Sequence, residues 1–186
     1  MYDTMIHEQL YSEYLDHLIS GNKNECSPIV HSLIQEGIEL KDLYLNLFQR
    51  SLYEVGSKWE CDEISVATEH LATSITSRLM SLAYPMLFST EKNGNRVIVS
   101  SIANEYHELG GRMVADLLEM KGWDSYFLGA NTPVSELIDL IAEKNPNLVA
   151  LSVAVYMNVN ELDKALKTIN REYPDLPVAV GGQAFS

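Results

Sequence analysis

The chain has 186 residues, of which 46% are hydrophobic and 21% are charged, and its formal net charge is -13. These proportions are typical of a folded globular protein and exclude a disordered or fibrous chain. The negative charge, with no local cluster of Lys or Arg to offset it, argues against direct nucleic-acid binding. Every apolar run is shorter than the roughly 20 residues that span a bilayer, and the N-terminus lacks the apolar core of a signal peptide. We therefore expect a cytoplasmic protein.

Residues 1–88 show helical periodicity and predict four helices. On the first helix, Leu10, Tyr14 and Leu18 recur at helical spacing. The first helix closes at Gly21–Asn22, and the others run from Ser27–Pro28 to Gly37, from Lys41 to about Lys58, and from about Glu63 towards Leu87. Pro28 is tolerated in a first turn, which places the start of the second helix there. Short connections between four helices predict a four-helix bundle.

A polar stretch, residues 89–95, follows the helices and predicts a linker, because it contains turn formers and no apolar residue. After it, short β-branched runs alternate with helical segments. The predicted strands are Arg96–Ile102, Trp123–Leu128, Leu148–Val153 and Val178–Val180, and the helices between them are Leu109–Met120, Pro133–Glu143 and Val159–Arg171. This alternation predicts an α/β domain over residues 96–186, a flavodoxin-like (Rossmann-like) doubly wound parallel sheet. A further strand and helix are expected beyond Ser186, in a longer parent protein.

The two cysteines, Cys26 and Cys61, stand alone in the sequence. Their spacing is that of neither a zinc site nor a redox dithiol, and two cysteines make no disulfide framework. We expect both to be free thiols.

The loop after the first predicted strand contains Glu105, His107, Gly110 and Gly111. A doubly wound sheet binds its ligand beyond the carboxyl ends of the strands, so an imidazole in this loop faces the ligand crevice. A carboxylate two residues earlier can accept a hydrogen bond from the second ring nitrogen, which orients the ring towards a metal. The glycines allow a bulky planar ligand to approach the backbone. A loop histidine is more often only solvated, so the spacing alone leaves both interpretations open.

Two further strand ends point to the same crevice. Ser152 ends the third predicted strand and Gly181–Gly182 ends the fourth, although each is also ordinary turn chemistry. Together with Glu105-x-His107-x-x-Gly110, they resemble the Asp/Glu-x-His-x-x-Gly, Ser-x-Leu and Gly-Gly signatures of the cobalamin-binding domain shared by methionine synthase, the corrinoid methyltransferase proteins and the base-off mutases. Ala154 stands where that family usually has Leu.

That resemblance implies a specific binding mode. His107 replaces the cofactor's own dimethylbenzimidazole as the lower axial ligand of cobalt. The detached nucleotide tail then runs into the sheet domain past Ser152, Gly181 and Gly182.

The helical half carries a second motif, in which Trp59 is followed by nine residues and then by Glu69–His70. This pattern is similar to that of the light-sensing adenosylcobalamin photoreceptors related to bacterial carotenoid-synthesis repressors. The resemblance implies that Trp59 packs against the upper axial group and that Glu69 and His70 hold the adenosyl moiety. Glu60 stands where the best-known photoreceptors have a His that captures cobalt after illumination, so a photoproduct with two His ligands would need a substitute such as His70.

These patterns predict a cobalamin-binding sensory module that binds adenosylcobalamin and responds to light. We expect it to regulate transcription through an output domain or partner protein. Methylcobalamin is the alternative form of the cofactor, and a homo-oligomer is expected. The alternatives are a corrinoid methyl carrier of a methyltransferase system, a haem-binding sensor on the same fold, and a flavodoxin-like interaction domain without a cofactor. No nucleophile with a base, phosphate-binding glycine loop or zinc spacing occurs, so we expect no enzymatic activity of its own.

Overall fold

A computed structural model of the chain describes residues 6–88 and 91–185. The chain divides into two compact units, with the division between Met86 and Leu87. We call them the helical unit and the sheet unit. In the part of the chain that is described, no helix is both long and apolar enough to cross a bilayer.

The helical unit contains the four predicted helices. They are α1 (Glu8–Ile19), α2 (Lys23–Gln35), α3, which runs through Leu40–Asp42, Leu43–Gln49 and Arg50–Glu60, and α4 (Val66–Met80), which is followed by a 3-10 helix, Ser81–Phe88. Gly21 has a φ of 71°, so it closes α1 in the left-handed conformation that favours glycine. Large fully buried side chains from three of the helices form the core: Tyr14, Leu18, Leu33, Tyr44, Leu47 and Phe48.

The predicted start of α2 at Ser27–Pro28 is wrong. The helix begins at Lys23, and Pro28 lies inside it. A proline there cannot donate the hydrogen bond to the carbonyl oxygen of Asn24, which ordinarily disfavours a helix. Cys26 and Val30, on either side of the proline, are both fully buried, so tertiary packing holds this helix.

The start and end of α4 also differ from the prediction. Ser65 caps the helix, since its Oγ accepts a hydrogen bond from the Thr68 amide at 3.1 Å, and α4 therefore starts at Val66 rather than near Glu63. Beyond Met80 the chain continues as a 3-10 helix that contains Pro85.

The middle of α3, Leu43–Gln49, is a π-helix, which the regular apolar spacing did not indicate. Ser51 follows this segment and is fully buried. Its Oγ donates to the carbonyl oxygen of Leu47 at 2.7 Å and lies 3.0 Å from that of Phe48. The buried hydroxyl is thus satisfied by carbonyl groups of the π segment.

The sheet unit is a four-stranded parallel sheet in the order β2-β1-β3-β4. Its elements are β1 (Arg96–Ser101), α5 (Leu109–Met120), β2 (Asp124–Phe127), α6 (Val134–Lys144), β3 (Leu148–Ser152), α7 (Val159–Glu172) and β4 (Val178–Gly181), with short 3-10 turns at Tyr156–Asn158 and Gln183–Phe185. The order is that of a flavodoxin-like doubly wound sheet. The predicted fold class is confirmed.

Both faces of the sheet are covered. Ile98 belongs to a core cluster that includes Leu137 of α6 and Ile169 of α7. Its neighbours Val97 and Val99 belong to a second cluster with Ala115 of α5. This division follows from the alternation of side chains along a strand, and each fully buried aliphatic side chain contributes roughly 1.5–3 kcal/mol.

Part of the predicted linker is fastened to the sheet unit. Lys92 pairs with Glu119 and donates to the carbonyl oxygen of Trp123 at 2.8 Å. The Asn93 amide donates to the carbonyl oxygen of Gly122 at 2.8 Å. Residues 89 and 90 lie outside the described residues.

Candidate functional site

The carboxyl ends of β1 and β3 form the point where the strand order reverses, because the chain passes from β1 to β2 on one side and returns to β3 on the other. Ligands of doubly wound sheets bind beyond this point. The register aligns Ser101 with Ser152 and Ser152 with Gly181. The two serines and the glycine therefore form one row across three strand ends.

Glu105 is the centre of the loop that follows β1. Its side chain is fully buried, and its two carboxylate oxygens receive five hydrogen-bond donors. Oε1 lies 2.5 Å from Nδ1 of His107 and 3.0 Å from the amide nitrogen of the same residue. Oε2 accepts from the amides of Ala154 at 2.9 Å and Val155 at 3.0 Å, and from Nδ2 of Asn158 at 3.1 Å.

Glu105 is held as a carboxylate. Burial raises its pKa, but the amides of Val155 and His107 and the side chains of Asn158 and His107 donate hydrogen bonds that outweigh burial and lower the pKa from 4.5 to about 2. A carboxylate can only accept, so the proton of the short contact lies on Nδ1 of His107. In the neutral imidazole Nε2 is then left with a free lone pair.

The His107 side chain is accessible. Its side chain is 63% exposed although its carboxylate partner is fully buried. The Ser101 hydroxyl donates to the His107 carbonyl oxygen at 3.1 Å, which fixes the backbone of the loop at the end of β1. A fixed backbone and an oriented ring with one free nitrogen suit single-point ligation of a metal.

The glycines divide into two kinds. A Cβ on Gly110 or Gly181 would meet no atom within 4 Å, so both border open space. A Cβ on Gly111 would lie 3.4 Å from the Phe127 ring, and one on Gly182 would lie 2.2 Å from the carbonyl oxygen of Val153. Gly182 also has a φ of 116°. The lack of a side chain at Gly182 thus serves the packing of the chain end of β4 against the loop after β3, whereas Gly181 borders open space.

Ser152 is half-buried at the end of β3. Among the described residues, the donors around Glu105 do not include it. The residue that completes the surroundings of the carboxylate is Asn158, which the sequence interpretation missed.

Asparagines join the three loops at this edge of the sheet. The amide of Asn104 donates to Oδ1 of Asn131 at 2.8 Å, and the Asn131 amide donates to the carbonyl oxygen of Glu105 at 2.8 Å. Nδ2 of Asn158 reaches the carbonyl oxygen of Asn104 at 3.2 Å. Asn104 and Asn131 have φ values of 65° and 51°, a region where asparagine is enriched. In the sequence, only the preference of asparagine for turns indicated a role for Asn104 and Asn131.

The helical unit holds the other predicted site residues. Trp59 lies in the last turn of α3 and is 45% exposed, so it is not a core residue. In the first turn of α4, Oε2 of Glu69 lies 2.6 Å from Nδ1 of His70, and Oε1 accepts from the Thr73 hydroxyl at 2.9 Å. The Glu69 side chain is 22% exposed and the His70 side chain 74%. Glu69 is thereby fixed by two partners, while the imidazole remains accessible.

The residues present fit a corrinoid. A cobalt ion that is held in a macrocycle needs one axial ligand from the protein, and His107 offers a single oriented nitrogen. Gly110 of the same loop borders open space. The part of the chain that is described contains no group of three or more His, Cys, Asp or Glu side chains that could hold a metal ion.

Comparison with family models decides the family. A model described as "B12 binding domain" matches residues 95–186, and a second model with the same description matches residues 10–84. The chain belongs to the B12-binding domain family. It binds cobalamin, as the resemblance of the loop motif and the glycines implied.

Two curated relatives of this B12-binding chain are regulators from Myxococcus xanthus. The HTH-type transcriptional repressor CarA is 32% identical over 120 residues, which are 64% of this chain and 41% of the repressor. The HTH-type transcriptional repressor CarH is 29% identical over 135 residues, or 72% of this chain and 44% of the repressor. The chain thus spans less than half the length of either repressor.

A solved structure resembles the whole fold. The Methanosarcina barkeri monomethylamine corrinoid protein superposes with a TM-score of 0.86, covers 97% of this chain and 87% of its own, and is 18% identical in sequence. The two proteins therefore share a fold in which a helical part is followed by a parallel sheet.

Proposed function

We propose that this B12-binding chain is a light-responsive sensory module that holds adenosylcobalamin and regulates an output domain or a partner protein. The observation that carries the proposal is the exposed Trp59 at the end of α3, with the fixed Glu69–His70 pair at the start of α4. A tryptophan that is not used in the core is available to a ligand, and burying an aromatic side chain of this size removes roughly 150–250 Å² from water. The similarity to two transcriptional repressors supports the regulatory role.

In this proposal His107 is the lower axial ligand of cobalt. Glu105 accepts the Nδ1 proton, so that Nε2 faces the ligand with its lone pair, and Ser101 holds the backbone of the loop. Gly110 and Gly181 border open space, and Ser152 lies in the same row of strand ends as Gly181. The nucleotide tail would pass Ser152, Gly181 at the end of β4 and Gly182.

Trp59, Glu69 and His70 would hold the adenosyl group. Bound adenosylcobalamin supplies a weak cobalt–carbon bond that absorbs light. Trp59 would pack against the upper group. Glu69 would orient His70, and the side chains of Glu69 and His70 would offer hydrogen-bonding groups to an adenosine. Without an upper group the exposed face of Trp59 would lack a packing partner, and an interface of this chain would change. We expect this chain to self-associate or to contact its output domain through that change.

One observation favours a second candidate, a corrinoid methyl carrier of a methyltransferase system. Glu60, an exposed carboxylate, follows Trp59 at the position where the photoreceptors carry a nitrogen ligand for cobalt. A methyl carrier would use His107 in the same way but would need no adenosyl contacts. The two candidates therefore differ in the upper ligand, not in the site of the sheet unit.

Absorption spectroscopy tests the proposal. The protein would be reconstituted in the dark with adenosylcobalamin and with methylcobalamin, and spectra recorded before and after green light. We expect bound adenosylcobalamin with a spectral change on illumination, and altered ligation in His107→Ala but not in His31→Ala, which removes an exposed histidine of α2. Binding of methylcobalamin alone favours the carrier, and a haem spectrum or no corrinoid binding contradicts both.

A further inference from the structure

We propose that Asn158 is a positioning residue for cobalt ligation by His107. It acts from the loop after β3 through Glu105, and it does not touch the metal. The inference rests on the proposed function, in which His107 is the lower ligand.

The Asn158 amide joins two parts of the loop after β1. Its Nδ2 lies 3.1 Å from Oε2 of Glu105 and 3.2 Å from the carbonyl oxygen of Asn104. An amide nitrogen has two protons, so it can donate to both acceptors at once. One side chain therefore fixes the carboxylate and the backbone residue that precedes it.

The contacts of the Glu105 carboxylate leave it little freedom to rotate, and the contact with Asn158 completes this restraint. Oε1 is engaged by His107, whereas Oε2 is engaged by the amides of Ala154 and Val155 and by Asn158. The backbone amides of Ala154 and Val155 remain when the side chain of Asn158 is removed, so the carboxylate stays buried. What is lost is the one side-chain donor that the described residues place on Oε2, and a carboxylate with an unfilled position rotates or admits water. Its other oxygen then holds Nδ1 of His107 less well.

The place of Asn158 in the chain also links His107, the proposed cobalt ligand, to the loop after β3. Asn158 closes the 3-10 turn Tyr156–Asn158, whose Tyr156 and Met157 side chains are 77% and 84% exposed. Ser152, four residues before this turn, contributes no donor to Glu105 among the described residues. The turn, and not the strand end, thus supplies the side chain that completes the carboxylate's surroundings.

Electron paramagnetic resonance of bound cob(II)alamin measures ligation directly, because an axial nitrogen splits the cobalt lines. With ¹⁴N the lines become triplets, and labelling of the protein's histidines with ¹⁵N turns them into doublets. The proteins to compare are the wild type, Asn158→Ala, Asn158→Gln, which keeps an amide donor on a longer arm, and Asn160→Ala, which removes an exposed asparagine two residues away. Corrinoid content and the Tm of the apoprotein are measured for each.

We expect the wild type and Asn160→Ala to show doublets with ¹⁵N-histidine. In Asn158→Ala the ratio of His-ligated to unligated cobalt should fall about tenfold, with Asn158→Gln in between. Wild-type ligation in Asn158→Ala, or an equal loss in the Ala and Gln variants, overturns the positioning role while the lower-ligand assignment stands. A wild type without histidine splitting overturns the assignment itself, and the inference with it.

Discussion

Gly182 lies so close to Val153 that a Cβ on the glycine would come within 2.2 Å of the valine's carbonyl oxygen. The φ of Gly182 is 116°, a conformation that side chains rarely adopt. Strain and overlap together should make Gly182→Ala destabilising by roughly 2–4 kcal/mol. Urea unfolding of the apoprotein measures this loss.

The adjacent glycine provides the matched control. A Cβ on Gly181 meets nothing within 4 Å, so Gly181→Ala should change the free energy of unfolding by less than about 1 kcal/mol. If Gly181 borders the nucleotide tail, the same substitution should weaken cobalamin binding. Equal destabilisation by both alanines would show that the close approach of Gly182 is not what the stability depends on.

The buried carboxylate of Glu105 should make stability depend on pH. Its pKa is about 2 in the folded protein and 4.5 for an ordinary glutamate, so its contribution is complete above about pH 5 and is lost as the pH falls from 4.5 towards 2. The loss should be on the order of 3 kcal/mol. Unfolding of the apoprotein by urea between pH 6 and pH 2.5, followed by near-ultraviolet circular dichroism, measures it.

Glu105→Gln isolates this contribution. The glutamine amide would face the donors that surround the carboxylate, so the variant should already be less stable at pH 7, by roughly 1–3 kcal/mol. The difference from the wild type should then shrink as the pH falls. Glu8→Gln is the control, because the pKa of Glu8 is also lowered, by its hydrogen bond with Arg50, but the group is exposed. A difference that stays constant with pH would contradict the assignment of a charged Glu105.

The cap of α4 should be measurable in the helical unit. The Ser65 hydroxyl is the acceptor for the Thr68 amide, one of the donors that a helix start leaves without a partner. Ser65→Ala should therefore cost about 1 kcal/mol, and Ser65→Gly only a few tenths. Thermal unfolding followed at 222 nm compares the two, and a larger loss with glycine would show that the cap is not the cause.

Periodicity was enough to predict the elements of both units. Side chains such as Ile98 and Val99 are apolar because each faces a different covered side of the sheet, and this requirement is visible along the chain. The start of α2 was predicted wrongly because proline favours the first turn of a helix. In the structure the burial of Cys26 and Val30 outweighs this local propensity of Pro28. The π segment of α3 was invisible because both kinds of helix use the same apolar residues.

The site was predictable where one loop carries it and not where several loops meet. Glu105 and His107 lie two residues apart, so their hydrogen bond could be expected from the sequence. Asn158 lies 53 residues from Glu105, and only the β1–β3 pairing brings the two together. The packing role of Gly182 likewise depends on an adjacent loop, which a Gly-Gly pair in a sequence cannot show.

The exposed Trp59 should decide the choice of upper ligand. If it packs against adenosyl, Trp59→Ala should weaken adenosylcobalamin binding about tenfold or more, because a large contact is lost, and change methylcobalamin binding much less. Tyr53→Ala removes another exposed aromatic residue of α3 and should affect neither. Equilibrium titrations in the dark, followed by absorption, give the affinities of the wild type and of each variant for both cofactors. Equal losses for both cofactors would indicate that Trp59 serves the corrin ring rather than the adenosyl group, and the methyl carrier would then be the better account of this chain.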